Sequence, residues 1–178
     1  VRKMPILSSD SRKDLIVEME NSLKKLGIKP TTIAKCSLIS EELLMNAIYD
    51  APVDENGVPK YNHLSRTQAI NLETHEQGSF KFGFDGMTIA ISTEDPNGAF
   101  HRDTVLDYLE SHLSAKPNRF QQKKSKGGAG LGLYQILSTA DLVVLNVKKR
   151  VRTEVIALIN VNPDRRQRKK MSSFHYFL

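Results

Sequence analysis

Apolar residues recur at helical spacing from Ser11 to Leu26, where Leu15, Met19, Leu23 and Leu26 form one stripe and Gly27 supplies a stop. Pro30 and Thr31 open a longer helical pattern that runs through Cys36, Ile39, Leu43 and Ala47 and ends near Pro52. "DENGVPKYNHLSR" follows, rich in turn formers, and reads as a surface connection. The pattern then changes to alternating and apolar runs in "SFKFGFDGMTIAIST", which predicts a hairpin with Asp85-Gly86 as its two-residue turn. "DPNGAF" closes the second strand, and Val105, Leu106, Leu109 and Leu113 predict a short helix over 103–113. A basic loop and a glycine cluster lead into a helix reaching about Thr139. "DLVVLNV" and "TEVIALINV" finish as two strands joined by the basic turn "KKRVR". There is no internal repeat and no linker, so residues 1–178 read as a single domain. This order of elements predicts an α/β fold, a two-layer sandwich of a mixed, mostly antiparallel sheet with helices on one face.

The bulk properties narrow the class. A chain of 178 residues suits one domain with a substantial core. Charged residues at 26% and hydrophobic ones at 39% fit a globular protein in water. No apolar run approaches the roughly 20 residues of a membrane span, so no membrane partner is expected. "VRKMPILSSD" lacks the apolar core and cleavage pattern of a secretory signal. Cys36 is a lone cysteine within a helical apolar pattern, which predicts a small core residue in a reducing, cytoplasmic setting. The five histidines lack metal-ligand spacing, so no zinc site is expected. The net charge of +6 is uneven. Arg165, Arg166, Arg168, Lys169 and Lys170 crowd a tail over about 163–178, which reads as a solvated end rather than a nucleic-acid surface. Lys116, Arg119, Lys123, Lys124 and Lys126 immediately precede the glycines.

Three stretches carry candidate chemistry. "GGAGLGLYQIL" places Gly128, Gly130 and Gly132 at a helix entrance, where glycine lets the backbone approach a ligand and free N–H groups attract phosphate. "SEELLMNAIYDAP" places Glu42 and Asn46 four apart on one helical face, with Tyr49 and Asp50 one turn on. An asparagine oxygen is a hard ligand suited to Mg²⁺, and a nearby glutamate can take a proton from an attacking hydroxyl. "TEDPNG" sets Asp95 at a strand end, before an excellent turn sequence. Its carboxylate could accept from an exocyclic amine such as that of adenine. Each stretch alone also fits an ordinary loop, boundary position or turn.

Taken in order, Glu42–Asn46–Ala47, Asp95 and Gly98, and Gly128-Ala129-Gly130-Leu131-Gly132-Leu133 resemble the boxes of the Bergerat-fold ATPases, the group of gyrase, heat-shock chaperone ATPases, MutL-type proteins and histidine kinases. Thr153 in "RTEVIAL" resembles the threonine that supports the adenine-binding aspartate. The chain looks most similar to the anti-sigma-factor serine kinases of bacterial partner switching. Two departures stand out: Asp95 is followed by Pro-Asn-Gly98-Ala99 rather than x-Gly-x-Gly, and the 52–77 connection is long enough to be an ordered insertion shaping a partner surface. The resemblance implies that ATP and Mg²⁺ bind beneath a mobile lid over 116–128. It casts Asp95 as the adenine acceptor supported by Thr153, Asn46 as the metal ligand and Glu42 as the general base. Gly128, Gly130 and Gly132 would offer amides to phosphate, and Asp50, Gly98, Ala129, Leu131 and Leu133 complete the nucleotide-binding set. It implies a serine protein kinase acting on an anti-anti-sigma-like protein, with a sigma factor as a further partner and a homodimer as one assembly open to it. The alternatives are an ATP-dependent switch that grips a partner without phosphorylating it, and the ATPase piece of a larger signalling protein.

Overall fold

The computed structural model describes residues 1–100, 131–162 and 173–178. Strand β1 (Arg2–Ile6) leads to helices α1 (Ser11–Lys25) and α2 (Pro30–Met45), and α2 continues into a π-helical turn, Asn46–Asp50. Strands β2 (Gly78–Phe84) and β3 (Thr88–Asp95) follow, then α3 (Leu131–Thr139), β4 (Leu142–Lys148), β5 (Arg152–Asn160) and β6 (Ser173–Phe177). The six strands make one open mixed sheet in the order β1-β2-β3-β5-β4-β6. Every neighbouring pair is antiparallel except β4 and β6, which run parallel. The predicted α/β class, with a mixed and mostly antiparallel sheet, is therefore observed. The expected helix over 103–113, the lid over 116–128 and the basic run 165–170 lie outside the described residues.

Local sequence accounts for the element ends. Gly27 takes φ +76° and ends α1, with its N–H donating to Lys24 O and the Ile28 N–H to Leu23 O. This is the Schellman arrangement, in which glycine accepts the left-handed position and two end carbonyls find donors. Pro30 starts α2, where its missing N–H costs nothing. Alternate strand positions, among them Phe80, Phe82, Ile89, Ile91, Val143, Ala157 and Ile159, turn to one face of the sheet. There they join Met19, Leu23, Ile39, Leu43, Leu44 and Ile136 of the helices in one buried core. Cys36 belongs to this core with no exposure, and burial pushes its thiol up to about 12.

Four expectations need correction. The second helix does not run as one α-helix to Pro52: it widens at Asn46, and the Ala51 N–H reaches back five residues to Asn46 O. The hairpin loop is Gly86-Met87 rather than Asp85-Gly86. Gly86 takes the left-handed position at φ +101°, while the Asp85 carboxylate accepts from the Met87 and Thr88 N–H groups and so closes the strands. β1 was not expected, because Arg2, Lys3 and Pro5 mask its short apolar alternation, as suits an edge strand. The end of the tail is likewise not free in solvent. "SFHYF" forms β6, with Phe174 and Tyr176 packed on the core side.

The 51–77 connection is more than a surface link, since Tyr61, Leu64, Ile70 and Leu72 join the core. It is organised around a buried charge. The Glu76 carboxylate lies 2.5 Å from Lys60 Nζ, and it accepts from the Tyr61 hydroxyl at 3.1 Å and the Glu73 N–H at 3.0 Å.

Candidate functional site

Helix α2 carries the first group of candidates. Its stripe of Ile33, Cys36, Ile39, Leu43 and Leu44 is buried, which sets Glu42 and Asn46 at the border of the core. Helix α3 packs against α2, and Gly132 meets it at these two side chains. A Cβ at Gly132 would collide with Glu42 Oε2 and lie 3.7 Å from Asn46 Oδ1. Gly132 therefore has no room for any side chain while Glu42 keeps its place. Gly132 thus lies against two side chains that are 86 and 90 residues away in sequence. Burial raises the Glu42 carboxyl above the usual range; the neighbouring charges of Glu41 and Asp50 add to the rise, and Arg66 opposes it.

Asp50 occupies the end of the π-turn, where the connection reaches back to it. Arg66 Nη2 lies 2.8 and 2.9 Å from the two Asp50 carboxylate oxygens. The same guanidinium sits over the Tyr49 ring, 4.8 Å from its centroid. The Tyr49 hydroxyl is shared between the carbonyls of Arg66 at 3.1 Å and Gln68 at 2.8 Å. Burial still leaves the Asp50 carboxyl raised, with Arg66 working against it. Arg66 was not among the expected site residues. A lone arginine in a turn-rich stretch gives no sequence signal of where the chain will fold back.

The second group lies at one end of the sheet. Asp95 ends β3 and pairs in register with Thr153 at the start of β5, so both face the helix side. Both are buried, at 8% and 3% exposure. Burial raises the Asp95 carboxyl, and the N–H groups of Asn97 and Gly98 pull it back. Asn97 N donates to Asp95 Oδ1 at 2.9 Å. The side chains of Asn97 and Thr153 stand near enough to ease its charge, but Asn97 Nδ2 and Thr153 Oγ1 have no hydrogen-bond partner. A buried carboxylate beside two unsatisfied polar atoms suits a ligand that both donates and accepts. Gly98 takes φ +58° and packs on the β4–β5 turn, where a Cβ would collide with Lys148 O. The turn after Asp95 is thus held against protein, and Arg150 N donates to Gly98 O.

The remaining candidates divide. Gly128, Ala129 and Gly130 lie outside the described residues. Leu131 begins α3, and Leu133 is buried in the core, which leaves only its backbone for a ligand. α2 packs across β3 and β5, so both groups lie on the helix-covered side of the sheet. A cavity of about 610 Å³ opens at this same end of the sheet, lined by Lys3, Ser79, Glu94, Asp95 and Arg152 among others. Of the expected site residues it includes Asp95 alone, and neither Glu42 nor Asn46 lines it. We place the candidate site by the Gly132 cradle and the Asp95–Thr153 pair, not by this cavity. Among the described residues no group of histidine, cysteine and carboxylate side chains is arranged to hold a metal by itself, and no helix is long and apolar enough to cross a membrane.

The fold has a counterpart among solved structures. A chain of the crystal structure of the SiaB–SiaC complex from Pseudomonas aeruginosa is similar over 89% of this chain and 89% of its own length, with a TM-score of 0.52 and 16% sequence identity. At that identity the likeness concerns the fold. No protein-family model matches the sequence, and no curated protein matches it.

Proposed function

We propose that this chain is an ATP-binding regulatory protein with a Bergerat-type fold, a serine protein kinase of the anti-sigma type acting on an anti-anti-sigma-like protein. The observation that supports the reading is the fit of Gly132 against Glu42 and Asn46. The residues suit the ligands. Asp95, with the unsatisfied Thr153 Oγ1 and Asn97 Nδ2 around it, would receive the adenine edge. Asn46 would supply a hard oxygen to Mg²⁺, with water and phosphate completing the shell. Bound Mg·ATP supplies the transferable γ-phosphoryl group and the charge neutralisation that such transfer needs. Glu42, with its carboxyl raised by burial, is suited to take the proton of a serine hydroxyl presented by the partner. The backbone amide of Gly132, at the start of α3, would face phosphate. That a similar fold occurs in a two-protein complex supports a protein partner.

A second reading, an ATP-gated binding switch without transfer, is favoured by the turn after Asp95. It is Pro96-Asn97-Gly98, packed on the β4–β5 turn, where a turning-over ATPase of this group would have Asp-x-Gly-x-Gly. One experiment separates the two. The parent and Glu42→Ala are incubated with a serine-bearing partner and Mg·ATP, and the partner is weighed by mass spectrometry. Phosphate on the partner with the parent, slowed roughly 10²–10⁴-fold by Glu42→Ala while ATP binding persists, supports the kinase. An unmodified partner that binds only with ATP supports the switch. Absence of adenine-nucleotide binding by calorimetry removes both.

A further inference from the structure

The candidate site poses an electrostatic problem. Glu42, Asp50 and Asp95 are all at least partly buried acids, and in each burial raises the carboxyl. Mg·ATP carries net negative charge, so an uncompensated row of carboxylates along α2 would repel the ligand that its face is shaped to hold. Among the described residues, Arg66 is a cation held against this row. Its side chain is fixed twice, by both Asp50 oxygens and by the Tyr49 ring, and its backbone is fixed by the Tyr49 hydroxyl. All three anchors lie on one turn of the site's own helix. A guanidinium held in this way is preorganised, and most of its ordering cost is met before any ligand arrives. Its field also reaches Glu42, two turns before Asp50 on the helix.

Resting on the nucleotide-binding reading, we propose that Arg66 is a positioning residue of that site. It neutralises and immobilises Asp50, so that the polyphosphate can approach the face bearing Glu42 and Asn46. In this role Asp50 is a locked counter-ion and not a contact to the nucleotide. The 51–77 connection, read from the sequence as a surface link over 54–66 within an ordered insertion over 52–77, becomes part of the site through this one residue. The Lys60–Glu76 cluster that orders the connection then acts at a distance, by holding the segment from which Arg66 projects.

Calorimetry with Mg·ATP and Mg·ADP on the full chain tests this, using the parent, Arg66→Lys, Arg66→Gln, Asp50→Asn and the Asp50→Asn/Arg66→Gln double variant. Arg66→Gln leaves Asp50 ionised and unpaired, and its affinity for both nucleotides is expected to fall about thirtyfold or more. Asp50→Asn removes the need for the cation, so on this proposal, unlike the ligand-contact role the family resemblance gives Asp50, it should stay within about threefold of the parent. Arg66→Lys keeps the charge but not the planar seat on Tyr49, so its affinity should fall between those of the parent and Arg66→Gln. The double variant should recover most of what Arg66→Gln loses. A merely structural role would lower the melting temperature of Arg66→Gln without this pattern of rescue. Arg66→Gln binding as the parent does overturns the proposal, and so does a double variant as weak as the single one. Asp50→Asn weakened as far as Arg66→Gln would make Asp50 a ligand contact and overturn it too. Should Arg66→Gln fail to fold, Arg66→Lys binding as tightly as the parent, or Asp50→Asn binding about thirtyfold more weakly, overturns the proposal. A parent that binds no nucleotide overturns the underlying reading together with this one, whereas a binding parent with an unaffected Arg66→Gln overturns this proposal alone.

Discussion

Glu76 and Asp95 are both nearly removed from water, at 1% and 8% exposure, yet their surroundings treat them in opposite ways. Burial works against the charge of Glu76, but Lys60, the Glu73 N–H and the Tyr61 hydroxyl win, and its carboxyl is held below the usual range. Glu94 on the open face of the sheet is similar: Lys81, 3.0 Å away, holds it low. At Asp95 burial wins, despite the backbone donors of Asn97 and Gly98. Glu42 shares that sign; Asp50 shares it too, but with Arg66 2.8 Å away it belongs with neither group. The difference separates two uses of a buried acid. Where the carboxylate holds the chain together, the fold brings a cation to it within hydrogen-bond reach. Where no such cation answers the acid, desolvation is left partly unanswered, which is the pattern expected of a functional site.

The comparison can be broken most forcefully at Glu76. Glu76→Gln leaves Lys60 facing a neutral amide inside the connection, though Lys60 keeps Glu73 at 2.9 Å. The expected loss is about 3 kcal/mol, the lower end for a broken buried pair. At this chain length that corresponds to about 6–12 °C in melting temperature. Thermal unfolding followed by circular dichroism measures it. A change under 2 °C or so would mean that the cluster is decoration and that the connection is held by Tyr61, Ile70 and Leu72 alone.

Asp95→Ala should do the reverse. It removes a charge that the fold does not favour, so the variant should still melt cooperatively and near the parent. Its affinity for ATP should fall about ten- to a hundredfold, since one charge-assisted contact to an amine is worth roughly 1.5–3 kcal/mol. Calorimetry and a melting curve on the same sample read both halves. A collapse of stability would turn Asp95 into a second Glu76 and remove its claim to be a ligand site.

How much of this was legible follows the range of each signal. The stripes of α1 and α2 and the runs of β3, β4 and β5 depend on spacing within one element, and they were readable. β1 was not, because at an edge strand Lys3 and Pro5 serve to discourage pairing rather than to mark it. The Gly132–Glu42–Asn46 cradle could be anticipated only from the order of separated motifs, since no local pattern says that Gly132 needs its empty Cβ against Glu42 Oε2. Arg66 was invisible for the same reason in a stronger form: its meaning comes from Tyr49 and Asp50, 17 and 16 residues away across a loop. The π-turn at Asn46–Asp50 was hidden because helical spacing differs little over five residues.

The finest test of the two kinds of acid is their pH dependence, where the effects are smallest and the signs decide. A carboxyl lowered on folding contributes stability that is present above its unfolded value, near 4.3 for glutamate, and is lost as pH falls through the folded value. Glu76 belongs to this kind. The parent's advantage in melting temperature over Glu76→Gln should therefore be full at pH 7 and shrink as pH drops below about 4. A carboxyl raised on folding contributes stability that is full below its unfolded value, near 3.9 for aspartate, and is lost as pH rises through the folded one. Asp95 is of this second kind. Asp95→Asn, which cannot ionise, should match the parent near pH 3 and melt at or above it as pH rises above the unfolded value. Plotted against pH, the differences of the two variants from the parent should move in opposite directions: Glu76→Gln falls progressively behind the parent as pH rises, and Asp95→Asn draws level with it or ahead. Melts at half-unit steps from pH 3 to 7 in a constant-ionic-strength buffer measure both. If Asp95→Asn instead loses ground as pH rises, the aspartate is stabilised by its donors in the ionised form, and the opening distinction between the two acids fails.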